Sequence, residues 1–404
     1  MSGPTDPAVD PRSGTRVRSG SFDVGRQWQV VRYGMTALSD WRHESPLSAG
    51  TRSVLVVTSP SCERQDLPGM VAGFMGEVAI AGVFGGCTPH SPASDVVAVA
   101  DAIAASDADL VIALGGGSVM DTVKTARLFP AGTSTATVFD VLRTGAPPPV
   151  TGPLPLIAVP TTLSGAELTA IVGVTDDDTL EKVVVPLAGS VPDEIVFDPR
   201  VTTGTPDHIW HATGIKCMSD ACEEIVSTAS SPAVDALVAR SLPMFQEHLP
   251  RSTDSLESRL ACQLATWLTL FGIISAGVGA GIGAALRHQL GAYTGLAHGR
   301  VAAALLEPVI RFNWGSLGAS RPELLAAWGC DPRAGDPDEL VERIRALLAA
   351  LDVVVPLGVQ VPEDALTAIT THALAEFPVR TNPRAVTDAA ELRPVVVAAT
   401  GGPS

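Results

Sequence analysis

Residues 109–124, DLVIALGGGSVMDTVK, limit the possible folds more than any other stretch of this chain. A short apolar run stops at three glycines, and a helical pattern starts at once. Gly115, Gly116 and Gly117 carry no Cβ, so their amides can approach a ligand closely. The helix that follows offers free N–H groups and a partial positive charge at its first turn. This strand–turn–helix order predicts a phosphate or pyrophosphate cradle. The spacing matches neither GxGxxG nor the P-loop GxxxxGK[ST].

The neighbouring segments extend the pattern. Residues 53–60 read as a buried parallel strand, and 78–86, 109–118 and 153–162 as further strands. Residues 66–77 and 94–108 read as helices, the second capped by Ser94, with another after the glycines. A βαβαβ rhythm predicts a doubly wound sheet that binds ligand at the carboxyl ends of its strands. Beyond Asp198–Pro199 the segments 207–228, 232–248, 255–287, 299–313, 322–329, 337–351 and 363–375 are long, apolar and Ala-rich. They predict an all-helical second domain. The expected division is a disordered tail over 1–22, an α/β domain over 23–197 and a helical domain over 198–404, with a cleft between the domains.

Composition narrows the function. Twenty-seven basic side chains against 43 acidic ones give a formal charge of −16, which disfavours nucleic acid and anionic membranes as partners. Residues 264–286 hold no charge, but five glycines and scattered hydroxyls make a buried helix the expectation rather than a membrane span. The 6 cysteines form no CxxC pair and fit a reduced, cytoplasmic setting.

Several motifs, in order, resemble the iron-containing alcohol dehydrogenases. GGGSVMDTVK is similar to their GGGSxxDxxK element, and PTTLSGAELT (160–169) to their PTT…SE.T loop, at the shorter length of the maleylacetate reductase branch. FDPRV (197–201), GIKCMSDACEEIVS (214–227), RHQLGAYTGLAHG (287–299) and TNPRAVTD (381–388) follow. The resemblance implies the dehydroquinate synthase-like, iron-type alcohol dehydrogenase fold, a small-molecule substrate and a homodimer. It also implies NAD(P)H on Gly115, Gly116, Gly117, Ser118, Thr161 and Thr162, with Lys182 nearby. Ser59 ends the first strand where NAD-preferring members often carry Asp. Its lack of a carboxylate permits NADPH, with Arg64 assisting.

The metal-ligand positions depart from that family. An Asp and a His four apart fall on Lys216 and Asp220, and two His fourteen apart fall on Ala284 and His298. An ammonium, a methyl group, one carboxylate and one imidazole are a poor donor set, so no catalytic metal is expected. Lys216 and Asp220 share a helix face and can pair. Lys216 then either stabilises a developing alkoxide or, neutralised by Asp220, fills the old cavity. His288 matches a family histidine beside the nicotinamide and is the candidate proton relay. His298 is the remaining ligand position. Arg287 and Arg300 flank the histidines and either bind a carboxylate or sit in ion pairs. The expected function is a metal-independent NAD(P)H-dependent reductase of a small keto or enone acid. The alternatives are a non-redox enzyme using Lys216, Asp220 and His288, or an inactive nucleotide-binding homologue.

Overall fold

The computed structural model describes residues 20–23, 30–76, 78–179, 181–276 and 280–402. The strands are β1 (Gly20–Asp23), β2 (Val30–Tyr33), β3 (Ser53–Thr58), β4 (Ala79–Phe84), β5 (Leu110–Gly115), β6 (Leu156–Pro160), β7 (Ile171–Thr175), β8 (Lys182–Pro186) and β9 (Glu194–Phe197). The helices among them are α1 (Ala37–Glu44), α2 (Pro60–Arg64), α3 (Leu67–Met75), α4 (Ala93–Ala105), α5 (Gly117–Ala126) and α6 (Thr135–Thr144).

One 7-stranded sheet runs β1-β2-β9-β6-β5-β3-β4, and β7 and β8 form a separate hairpin. Every pairing in the large sheet is parallel except β1 with β2. Side chains alternate faces along a strand, and both faces are covered. Val54, Val56, Ile112 and Leu114 pack with Trp41, Leu67 and Val71. Leu55, Val57, Val111 and Ala113 pack with Val96, Val123 and Val138 on the other side. This explains strands that read as unbroken apolar runs. β3 is followed by β4 on one flank and has β5 on the other, so the strand order reverses at the β3/β5 crevice. Ligands bind at such points in open α/β sheets.

From residue 207 the described chain is helical: α7 (Asp207–Glu224), α8 (Pro232–His248), α9 (Leu256–Ala276), α10 (Ile282–Thr294), α11 (His298–Asn313), α12 (Arg321–Ala327), α13 (Asp338–Ala350), α14 (Glu363–Ala375) and α15 (Arg393–Thr400). None of the described helices is long and apolar enough to cross a membrane. α7 and α11 approach closely because Gly299 lies against the Ala212 carbonyl; a Cβ there would fall 1.9 Å from its oxygen.

Three expectations need correction. The segment 255–287 is not one helix: α9 ends at Ala276, and α10 begins after Gly281, whose φ of 97° suits glycine. Ser94 does not cap α4, which starts at Ala93 behind Pro92; the Ser94 amide instead donates to Asp177 at 3.0 Å. Of the expected tail, residues 1–19 lie outside the described residues, while Gly20–Phe22 pair with β2.

Candidate active site

The glycine turn sits at the end of β5 and opens α5, with Gly116 at the cap position and no side chain capping the first turn. The loop after β6 closes over it. Thr161 N–H donates to the Gly115 carbonyl at 2.9 Å. A Cβ on Gly116 would press on Thr162 at 3.1 Å, and one on Gly117 would press on Ser164 at the same distance. The Thr162 hydroxyl is buried with no hydrogen-bond partner. Ser118 accepts the His90 amide at 3.0 Å. Ser59 follows the neighbouring β3, caps α2 and accepts the Cys62 amide at 3.4 Å. The six cradle residues therefore come together, with Ser59 one strand away.

Asp121 and Lys124 of the same motif hold loops. Lys124 Nζ donates to the carbonyls of Ala166 at 2.7 Å and Ile171 at 2.6 Å, and Asp121 accepts the Gly173 amide at 3.2 Å. They fix the β7–β8 hairpin, which the sequence reading did not identify. That hairpin carries Lys182, whose stem packs on Gly173: a Cβ there would meet Lys182 Cε at 2.6 Å.

The cradle loop is latched to the helical part. Leu163 N–H donates to Thr213 Oγ1 at 3.1 Å, the Cys217 thiol to the Leu163 carbonyl at 3.1 Å, and Thr205 to the Thr161 carbonyl at 2.7 Å. Thr213 and Cys217, which hold Leu163, lie three residues before and one residue after Lys216 on α7.

Lys216 and Asp220 do pair, Nζ to Oδ2 at 2.8 Å. Arg287 of α10 takes the other carboxylate oxygen at 2.8 Å, which makes it the ion-paired arginine of the two alternatives. Arg287 and Asp220 are almost fully buried, whereas the Lys216 side chain is 22% exposed. Burial opposes ionisation of Asp220, but Arg287 and then Lys216 outweigh it and hold the carboxyl down at about 2. Burial also works against the Lys216 ammonium, and Asp220 more than offsets it, raising Lys216 above its ordinary value. Glu223 anchors α10 by accepting the Gly283 and Ala284 amides at 2.6 and 3.0 Å. Ala284, a family ligand position, thus contributes only its backbone.

His288 presents Nδ1 to Glu376 at 2.7 Å, and Gln289 donates to the other Glu376 oxygen at 2.7 Å. A carboxylate therefore stands beside His288. The sequence reading missed it because Glu376 lies at the end of α14, 88 residues away. The His298 ring meets His288 edge-on, centroids 5.8 Å apart. Withdrawal from bulk water, then Arg287, His288, Lys182 and Lys216, push His298 down to about 3. Its imidazole is neutral at physiological pH.

The comparisons agree with this geometry. The family model for iron-containing alcohol dehydrogenase matches residues 30–199, and that for the C-terminal part of the same family matches 211–392. Dehydrogenase ALT3 of Alternaria alternata is 30% identical over 379 residues, covering 84% of this chain and 96% of the relative. Maleylacetate reductase 2 of Cupriavidus pinatubonensis is 28% identical over 291 residues, 71% of this chain and 72% of the relative. A crystal structure of sulfoacetaldehyde reductase from Bifidobacterium kashiwanohense in complex with NAD+ superposes with a TM-score of 0.79 at 21% identity, covering 94% of this chain and 98% of that one. The glycine cradle, the helical domain latched to it and these matches together make the chain a member of the iron-containing alcohol dehydrogenase superfamily, with a maleylacetate reductase among its relatives.

Proposed function

We propose that this protein is a metal-independent NAD(P)H-dependent reductase of a small keto or enone acid. The single observation that carries the reading is the ion pair of Lys216 and Asp220, two of the family's ligand positions, with Arg287 bound to the same carboxylate. A divalent ion does not fit this donor set. Asp220 is already engaged on both oxygens by cations, Ala284 has no donor side chain, and the Lys216 ammonium repels a metal.

The nucleotide does fit. The uncapped first turn of α5, the bare glycines and the unpartnered Thr162 hydroxyl form a receptor for pyrophosphate, and Thr161 and Lys182 stand beside it. NAD(P)H supplies the hydride. Lys216, the accessible member of its cluster, directs its ammonium at the oxygen on which negative charge develops. His288, oriented by Glu376, relays the proton that completes the product. His298, held neutral, serves as a hydrogen-bond partner rather than as an acid. The excess of cations around His298 suits a carboxylate substrate in an otherwise acidic protein. All six cysteines are buried free thiols, in keeping with a cytoplasmic enzyme, and a homodimer is the assembly the family resemblance implies.

The test is oxidation of NADH or NADPH with maleylacetate and related keto acids, before and after exhaustive chelation, for the wild type and Lys216→Ala. Turnover that survives chelation and falls at least about 100-fold in the variant supports the reading. Turnover abolished by the chelator and restored by iron or zinc refutes it.

A further inference from the structure

The cradle fixes the direction in which a dinucleotide lies. Thr161, Leu163 and α7 join on the β6 side of β5, the side of Lys216 and His288. A dinucleotide whose reactive end faced those residues would lay its adenosine end over the ends of β3 and β4. Thr58 pairs with Leu114 and Val57 with Phe84, so Gly115, Ser59 and Gly85 follow three adjacent strand ends. Those ends are spaced about 4.8 Å apart.

Glu63 occupies the outer position. Its carboxylate lies against the bare Cα of Gly85: a Cβ built there would fall 1.9 Å from Oε2 and 2.6 Å from Cδ. Glu63 comes from α2, four residues beyond Ser59, and its side chain has no hydrogen-bond or ion-pair partner among the described residues. We propose that Glu63 accepts the hydroxyls of the adenosine ribose and makes the site selective for NADH. It supplies, from one helical turn downstream, the carboxylate that Ser59 lacks. A carboxylate there takes hydrogen bonds from a ribose diol and repels a 2′-phosphate. This inference rests on the nucleotide reading of the cradle and reverses the expectation that Ser59 admits NADPH.

The experiment is direct binding of NADH and NADPH, by calorimetry, to the wild type, Glu63→Gln and Gly85→Ala. Glu63 is exposed, so Glu63→Gln keeps the fold, which a melting curve checks. The wild type is expected to bind NADH at least about tenfold more tightly than NADPH, and both variants are expected to bring the ratio to within about threefold. A wild-type preference for NADPH, or a ratio unchanged in Glu63→Gln, overturns the assignment while leaving the cradle intact. Binding of neither nucleotide overturns the cradle reading and this inference together.

Discussion

Replacing Asp220 with Asn tests the cationic cluster most directly. The carboxylate lies between Lys216 Nζ and an Arg287 nitrogen, each at 2.8 Å, in a nearly solvent-free position. Its depression from 3.8 to about 2 corresponds to about 2 kcal/mol of stability at neutral pH. The folded value lies below the unfolded one, so this contribution is present above pH 4 and is lost as the pH falls toward 2. The amide forfeits it and also leaves the buried Arg287 and the partly exposed Lys216 without a counter-charge, for a total cost of about 3–5 kcal/mol. Lys216 responds as well: without Asp220, burial and Arg287 both favour its neutral form. The alkaline limb of kcat/KM should therefore move to lower pH in Asp220→Asn. Urea unfolding at pH 7 and pH 2, with a pH–rate profile, reads both effects. A variant within 1 kcal/mol of wild type at pH 7, with an unmoved alkaline limb, would refute the account of the cluster.

Two further outcomes follow from other contacts. Glu376→Gln removes the charge that orients His288 Nδ1, so kcat should drop about tenfold in steady-state assays while nucleotide Kd is unchanged; loss of nucleotide binding would point to a structural role instead. Gly299→Ala drives a methyl group into the Ala212 carbonyl of α7, so denaturant unfolding should show a loss of about 3 kcal/mol or more.

Local signals in the sequence predicted local structure well. The apolar run, three glycines and helical period at 109–124 identified β5 and α5 without any other information, because each signal acts within a few residues. The four-residue spacing of Lys216 and Asp220 likewise gave their pairing, since a helix brings such residues onto one face. What escaped depends on the path of the chain. Arg287 meets Asp220 across 67 residues, and Glu376 meets His288 across 88. No periodicity encodes contacts between separate helices. Ser94 looked like a cap by residue type, yet its partner is Asp177, 83 positions on. The α9–α10 segment keeps one apolar character throughout, and among the described residues α10 begins behind Gly281, whose φ is positive.

Arg287 decides between the two roles open to Lys216. With Asp220 alone, the lysine would belong to a neutral pair, and such a pair fills a cavity without favouring an anion. Two cations and one carboxylate leave a net charge of 2 − 1 = +1. That equals a divalent ion held by one Asp and neutral histidines, the ligand set of the metal-using members. Arg287 is buried and aims at Asp220, so it cannot itself reach a substrate. By keeping Asp220 ionised and sharing its charge, it leaves Lys216 as the exposed end of a cluster whose field still attracts negative charge. On the metal-independent reading proposed above, the arginine would compensate for the missing ion, although it stands at none of the four ligand positions, and side chains would supply the positive potential that a metal supplies in the metal-using members.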